Sequence, residues 1–224
     1  MDLSKSYDFF QPSMVDGQIH IIGCGSVGST LAELLVRYGV KNLTLYDFDV
    51  VEPKNVVNQM FTSSDIGKEK VTALADHLLD INPDLAGSIR IADKGYTNQK
   101  LSGYVFLCVD NIDLRREIAE NNRSNPFIKA MFDFRTRLTD AQHYAADWSN
   151  EKQKDAFIAS MQFSHEEAAQ ETPMSACRVT LGVAATVRMI VTCGVVNFID
   201  FVKKKQIKKT ILINTETWDV LALG

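Results

Sequence analysis

HIIGCGSVGS, residues 20–29, is a short apolar run that breaks into glycines at 23, 25 and 28. The spacing is G-x-G-x-x-G. The residues after it keep a helical periodicity, with Leu31, Leu34, Leu35 and Tyr38 on one side. Strand, tight turn and helix in that order open a dinucleotide-binding sheet. Gly23 allows a tight turn out of the strand, Gly25 lets backbone approach a phosphate, and Gly28 lets the helix pack near the sheet. The helix start then offers unpaired N–H groups and a positive dipole end to an anion. Nineteen residues after Gly28 comes YDFD, with Asp47 and Asp49. A carboxylate there can accept hydrogen bonds from both ribose hydroxyls and would repel a 2′-phosphate, which disfavours NADP. NAD and ATP fit the loop equally well.

Outward from this loop, strands are expected over 18–22, 42–47, 88–92, 104–109 and 126–132. Helices are expected over 26–38, 68–81 and 111–122. Gly39 ends the first helix and Asn82-Pro83 the second. Alternating strands and helices predict an α/β, Rossmann-like, doubly wound and mostly parallel sheet. The pattern changes after about Phe134. A less regular strand over 138–146 precedes a charged stretch, 150–170, read as a helix and an exposed connection. A long apolar helix follows over 183–202. TILINTE and WDVLAL then close the chain as an antiparallel hairpin, so the C-terminal strands are mixed or antiparallel. Residues 1–224 read as a single domain.

Composition narrows the classes. The 224 residues are 46% hydrophobic with a formal charge of −4, enough for one well-buried domain and too acidic for a general nucleic-acid surface. The one basic run, 203–209, reads as a solvated helix end. The apolar helix contains Arg188, Asn197 and Asp200. A span needs about 20 clean apolar residues, so it reads as a buried helix and no membrane is expected. Cysteines at 24, 108, 177 and 193 form no C-x-x-C pair. A zinc ribbon and a disulfide framework are both disfavoured. The N-terminus lacks the apolar core of a signal peptide, so the chain is expected to be reduced, intracellular and cytoplasmic.

The choice between nicotinamide and ATP turns on three further stretches. DFDVVEPKNVVNQMF, 47–61, is richer in asparagine and glutamine than a dehydrogenase needs. GKEKV, 67–71, opens a helix with Lys68 and Lys70. VDNIDLR, 109–115, puts Asp110 and Asn111 at the carboxyl end of the fourth strand, with Arg115 one helical turn on. Open parallel sheets bind ligands at that edge. A buried acid, a lysine and a glycine loop there look like a magnesium-triphosphate site, with Asp110 holding the ion and Lys70 neutralising phosphate.

Together with GCGSVGS, these motifs resemble the ThiF/MoeB/HesA superfamily, the ubiquitin-activating-enzyme fold. The resemblance runs over about 18–131 and resumes at SACRVTLGVAATVRMIVTCGVVNFIDF, 175–201. It implies a protein that binds ATP and Mg2+ and adenylates a carboxylate, commonly the C-terminal glycine of a ubiquitin-like or sulfur-carrier protein. It also implies a homodimer or a place in a heteromeric complex. By the resemblance, Gly23, Gly25 and Gly28 form the nucleotide loop. Asp49, with Asp47 close by, is the ribose acid. Asn55 and Gln59 match the asparagine and glutamine of the family's SNLNRQ element. Lys70 is the phosphate lysine, Asp110 the magnesium aspartate, and Asn111 and Arg115 the residues that support it. Cys177 matches a cysteine that forms a thioester or persulfide in several members. A closed crossover loop over about 150–177 is expected above the site.

Three departures stand out. Asn58 replaces the arginine that precedes the family's glutamine. The N-terminal RYxRQ helix is absent, and so is the zinc-binding cysteine set. Arg135 and Arg137 are the candidates to replace the missing cations. The expected function is an ATP-dependent adenylyltransferase with Asp110, Lys70 and Cys177 as catalytic residues. The alternatives are a degenerate, non-catalytic nucleotide-binding subunit and an NAD-dependent oxidoreductase.

Overall fold

The computed structural model describes residues 1–164, 166–167 and 183–224. In chain order the elements are β1 (Ile19–Ile22), α1 (Ser26–Arg37), β2 (Leu43–Tyr46), α2 (Lys70–Ile81), β3 (Ile89–Ala92), β4 (Gly103–Leu107) and α3 (Ile112–Asn121). They continue with β5 (Ile128–Thr136), β6 (Asp140–Asp147), α4 (Glu151–Ala159), α5 (Ala184–Lys204), β7 (Thr210–Asn214) and β8 (Asp219–Leu223). All eight strands lie in one sheet, in the order β3-β2-β1-β4-β5-β6-β7-β8. β1 to β5 are parallel, and β6, β7 and β8 add on antiparallel. The doubly wound half and the closing hairpin are as expected. The chain reverses direction across the sheet between β1 and β4, which is where open sheets of this kind hold ligands.

Strand alternation divides the core in two. Ile19, Ile21, Leu43, Leu45, Phe106 and Phe132 face one layer, packed under α1, α2 and α5. Ile22, Tyr46, Val105, Leu107 and Met131 face the other, under α3 and α4. Burial on both faces explains why β1 is apolar but for His20 and why β4 lacks the polar alternation of a half-exposed strand. Helix α1 sits very close to β1, because a Cβ on Gly28 would run into the Gly23 carbonyl oxygen. By length and composition α5 could cross a membrane. Here it is a core helix: Val187, Ile190, Val191, Val195 and Phe198 are buried against the sheet. Gly194 sits on the Phe134 ring, where a side chain would collide.

One strand differs from expectation. β5 runs on to Thr136, past the expected end at 132, because it pairs with β6 down to Thr136 opposite Ala141. The helix expected within 150–170 is present as α4. Phe157 and Ile158 of α4 are buried beside Trp148. The remainder, His165 and 168–182, lies outside the described residues, and Cys177 with it.

Candidate active site

The glycine loop leaves β1 through Gly23, whose φ of +97° is a left-handed conformation that favours glycine. Its N–H donates to the Tyr46 carbonyl at 2.8 Å. A Cβ there would press on the Cys108–Val109 peptide at the end of β4. Gly25 caps α1 and differs from its neighbours. Among the described residues a Cβ on it would meet only the Gln59 amide nitrogen, at 3.9 Å. The loop is thus jammed at Gly23 and Gly28 and open at Gly25, the position where backbone approaches a phosphate.

Asp47 and Asp49 part company. Asp47 Oδ2 accepts the Cys24 N–H at 2.6 Å, and Oδ1 accepts the Asp49 N–H at 2.9 Å. Both its oxygens brace backbone, so Asp47, expected to bind cofactor, is a strut of the loop. Asp49 is half-exposed, with Lys70 Nζ donating to Oδ2 at 2.7 Å, and of the two acids it is the one with a carboxylate open toward the loop's exterior. The Lys70 N–H also donates to the Asp49 carbonyl at 2.9 Å. Lys70 is buried and opens α2, so its charge is fixed beside the loop rather than free to sample solvent. Burial pushes the Cys24 thiol well up, and the Asp47 carboxylate adds to the effect, so this loop cysteine is no nucleophile.

The segment between β2 and α2 folds back over the start of α1. Asn55 is buried, and its Oδ1 accepts the Glu52 N–H at 2.8 Å, so this oxygen shapes the turn instead of facing a nucleotide. Met60 N–H donates to Ser29 Oγ at 3.2 Å, which lays the segment on α1. Gln59 therefore comes to rest beside Gly25. Its Oε1 is buried with no hydrogen-bond partner among the described residues. Asp65 fastens the far end, accepting from Thr62 N–H at 2.9 Å, Lys68 Nζ at 3.0 Å and His77 Nε2 at 2.7 Å.

At the end of β4 the expectation of a buried acid is corrected. Asp110 is exposed, held out by a bend after Val109. It does not cap α3. Asn111 does, its Oδ1 accepting the Leu114 N–H at 3.0 Å. Arg115, expected among the cofactor-binding residues, points into the protein. Nε donates to the Val109 carbonyl at 2.7 Å, and Nη1 donates to Asp133 Oδ1 and the Phe134 carbonyl, both at 2.6 Å. It contacts the turn before Asp110 at the Val109 carbonyl. Asp133, fully buried on β5, also accepts from Arg135 Nε at 2.7 Å. Sequence reading did not find Asp133 as part of the site. Arg135 is further committed to Ser160, and its guanidinium lies 4.3 Å from the centre of the Tyr144 ring. Arg137 is exposed where β5 ends.

The carboxyl edge of β1, β2 and β4 thus gathers an open glycine loop at a helix start, a buried lysine paired to a half-exposed carboxylate, an orphaned amide oxygen and an exposed aspartate. Backbone N–H groups and Lys70 suit phosphate, Asp49 suits a sugar diol, and the hard oxygens of Asp110 suit magnesium. The donor set fits a nucleoside triphosphate with its ion. The family model described as "ThiF family" matches residues 6–219. Ubiquitin-like modifier-activating enzyme 5 of Drosophila mojavensis is 34% identical over 142 residues, covering 56% of this chain and 35% of that protein. The Caenorhabditis elegans protein of the same name is 31% identical over 116 residues, covering 45% of this chain and 27% of its own length. The matched stretches thus span about a third of these relatives or less. Among solved structures, PaaA superposes with a TM-score of 0.74 at 14% identity, covering 94% of this chain and 74% of that one. Escherichia coli MccB, in a crystal structure described as containing ATP, gives 0.68 at 16% identity, covering 95% and 65%.

Proposed function

The chain belongs to the ThiF family, and from that premise we propose that it is an ATP-dependent adenylyltransferase. Its acyl substrate is the C-terminal carboxylate of a ubiquitin-like or sulfur-carrier protein. The observation that carries the reading is Gln59: a buried oxygen with no partner among the described residues, beside the loop glycine that those residues leave open. A strand-helix turn with no ligand has no use for that arrangement, because an orphaned buried acceptor costs about 1–3 kcal/mol.

Each residue then has a task. The N–H groups at the start of α1 face the phosphates. Asp49 takes the ribose hydroxyls and stays anchored by Lys70. Lys70 offsets the triphosphate charge from a buried position, where a cation acts strongly. Asp110 would hold magnesium, which neutralises phosphate charge and makes pyrophosphate a better leaving group. In the reaction, a carboxylate oxygen bonds to the α-phosphorus as the bond to the bridging oxygen breaks, and pyrophosphate departs. Positioning and charge neutralisation supply most of the rate. Cys177 is proposed as a subsequent acceptor, its thiolate displacing AMP to form a thioester.

One observation favours a second reading, a nucleotide-binding subunit without turnover. Asn58 stands where the family carries an arginine, and Arg135, a candidate by sequence to replace it, is bound to Asp133 and Ser160. Asn58→Arg gaining pyrophosphate exchange where the parent has none would establish this reading.

A thermal-shift titration with Mg-ATP, ATP plus chelator, and NAD separates the classes. Ligand at about 100 times its dissociation constant stabilises by about 2.7 kcal/mol, or several degrees for this size. A shift with Mg-ATP is the expected result. A shift with NAD alone would overturn the proposal in favour of an oxidoreductase.

A further inference from the structure

Three arginines fasten the turn that carries Asp110 to the point where the connection after α4 departs. Arg115 reaches back from α3 and donates through Nε and Nη2 to the Val109 carbonyl, the peptide just before Asp110. The same guanidinium grips Asp133. On the other oxygen of Asp133 sits Arg135, whose Nη1 donates to the Ser160 carbonyl at 2.7 Å and Nη2 to Ser160 Oγ at 2.9 Å. Ser160 is the residue that ends α4. Arg116 makes a second, independent tie: Nη1 donates to the carbonyls of Met161 at 3.0 Å and Phe163 at 3.2 Å, and Nη2 to Asp113 at 2.6 Å. The Phe163 ring lies 5.5 Å from the Arg135 guanidinium.

A buried carboxylate between two arginines is an inefficient way to gain stability, since apolar side chains would often do as well. What it supplies is direction. Planar guanidinium groups bond only along fixed vectors. Here those vectors converge on Asp133, with Asp113 holding Arg116, and on main-chain carbonyls at 109, 134 and 160–163. We propose that Asp133 is a positioning residue. Through Arg115 it orients the peptide that presents Asp110, and through Arg135 it fixes the exit of α4, so the two move as one body. Resting on the ATP reading of the site, this makes the placement of the magnesium aspartate depend on how the connection after α4 is held.

Hydrogen exchange on the unliganded full chain tests the coupling without any assumption about ATP. Asp133→Asn leaves the buried Arg115 and the partly exposed Arg135 poorly balanced and risks unfolding. Arg135→Gln and Arg116→Gln, at partly exposed side chains, are therefore the variants of choice. In Arg135→Gln, amides 110–114 should exchange about tenfold faster, with 19–22 in β1 unchanged. Unchanged exchange at 110–114 in Arg135→Gln overturns the proposal, whatever Arg116→Gln does. In parallel, the Mg2+ concentration for half-maximal ATP binding should rise about tenfold in Arg135→Gln. A merely structural arginine would lower the melting temperature and leave that midpoint where it was, which also overturns it. Wild-type protein that binds no Mg-ATP would overturn the ATP reading, while the exchange data still decide the coupling.

Discussion

Gln59 faces Gly25. Its amide nitrogen lies 3.9 Å from the place a Cβ on Gly25 would occupy, and its amide oxygen is buried without a partner among the described residues. The residue comes from the β2–α2 segment, laid on α1 by the Met60–Ser29 bond. The glycine belongs to the loop after β1. Two stretches more than thirty residues apart in sequence thus frame one opening at the helix start.

The glycines of the loop should separate by mutation. Gly28→Ala drives a methyl group into the Gly23 carbonyl. Overpacking of this kind costs about 3 kcal/mol or more, a melting-temperature drop of about 6–12 °C at this size. Among the described residues Gly25→Ala meets nothing closer than the Gln59 amide. It should melt within about 2 °C of the parent and lose the Mg-ATP shift. Equal melting losses in the two variants would refute the geometry.

Asp110 is exposed and is not the α3 cap. Asp110→Ala should therefore change unfolding free energy by no more than about 0.5 kcal/mol. Pyrophosphate exchange should be abolished, since no hard oxygen would remain there to hold the ion. Unaltered exchange would remove the magnesium assignment. Asn111→Ala should do the reverse, lowering stability by about 1 kcal/mol through loss of the cap while exchange persists.

The strand-turn-helix of the loop was legible because glycine spacing and apolar periodicity are local signals, and the observed ends of α1 and β2 fall within one residue of those expected. Asp47 and Asp49 were not separable. Two acids on extended backbone are equivalent on paper, and only the Cys24 N–H, brought in by the fold, selects Asp47 as the strut. The same holds for β5. Charges at Asp133 and Arg135 read as the end of a strand. In fact FDFRT continues it, with Asp133 paired to Arg115 eighteen positions earlier. The alternation of phenylalanine with charge was the available signal. Its meaning depended on a partner from another element. Exposure of Asp110 was equally non-local.

Asp65 should govern stability in strong acid. Burial alone would raise its pKa. Bonds from the Thr62 backbone, His77, Lys68 and the Thr62 hydroxyl outweigh that and hold the carboxyl well below the usual range. A group lowered on folding contributes fully above its unfolded value, near 4, and the contribution fades as pH falls through the folded value. Asp65→Asn should cost about 2 kcal/mol at pH 7 in urea unfolding, with the gap to wild type narrowing from about pH 4 downward. A gap independent of pH would mean the carboxylate charge plays no part.

Between neutrality and pH 4 a different pair should act. His20 is buried against the Tyr46 hydroxyl, with Nδ1 at 2.8 Å, and burial, with the charge of Arg90, pushes its pKa down to about 4. His143 lies between the Phe132 and Phe134 rings. It bonds the Asp133 carbonyl at 3.1 Å and the Asn197 amide at 3.1 Å. Burial pushes it down to about 4 as well. Both are neutral in the folded protein, whereas the unfolded chain protonates them near 6.5. The unfolded state therefore binds more protons between about pH 6.5 and 4, and stability falls as pH falls through that window. The slope from these two groups approaches about 1.4 kcal/mol per pH unit for each. His143→Gln keeps an acceptor for Asn197 and removes the titration, so its unfolding free energy should lose about half of this histidine slope between pH 6 and 4.5. An unchanged slope in His143→Gln would show that His143 takes up its proton within the folded protein, and the neutral bond to Asn197 would then be wrong.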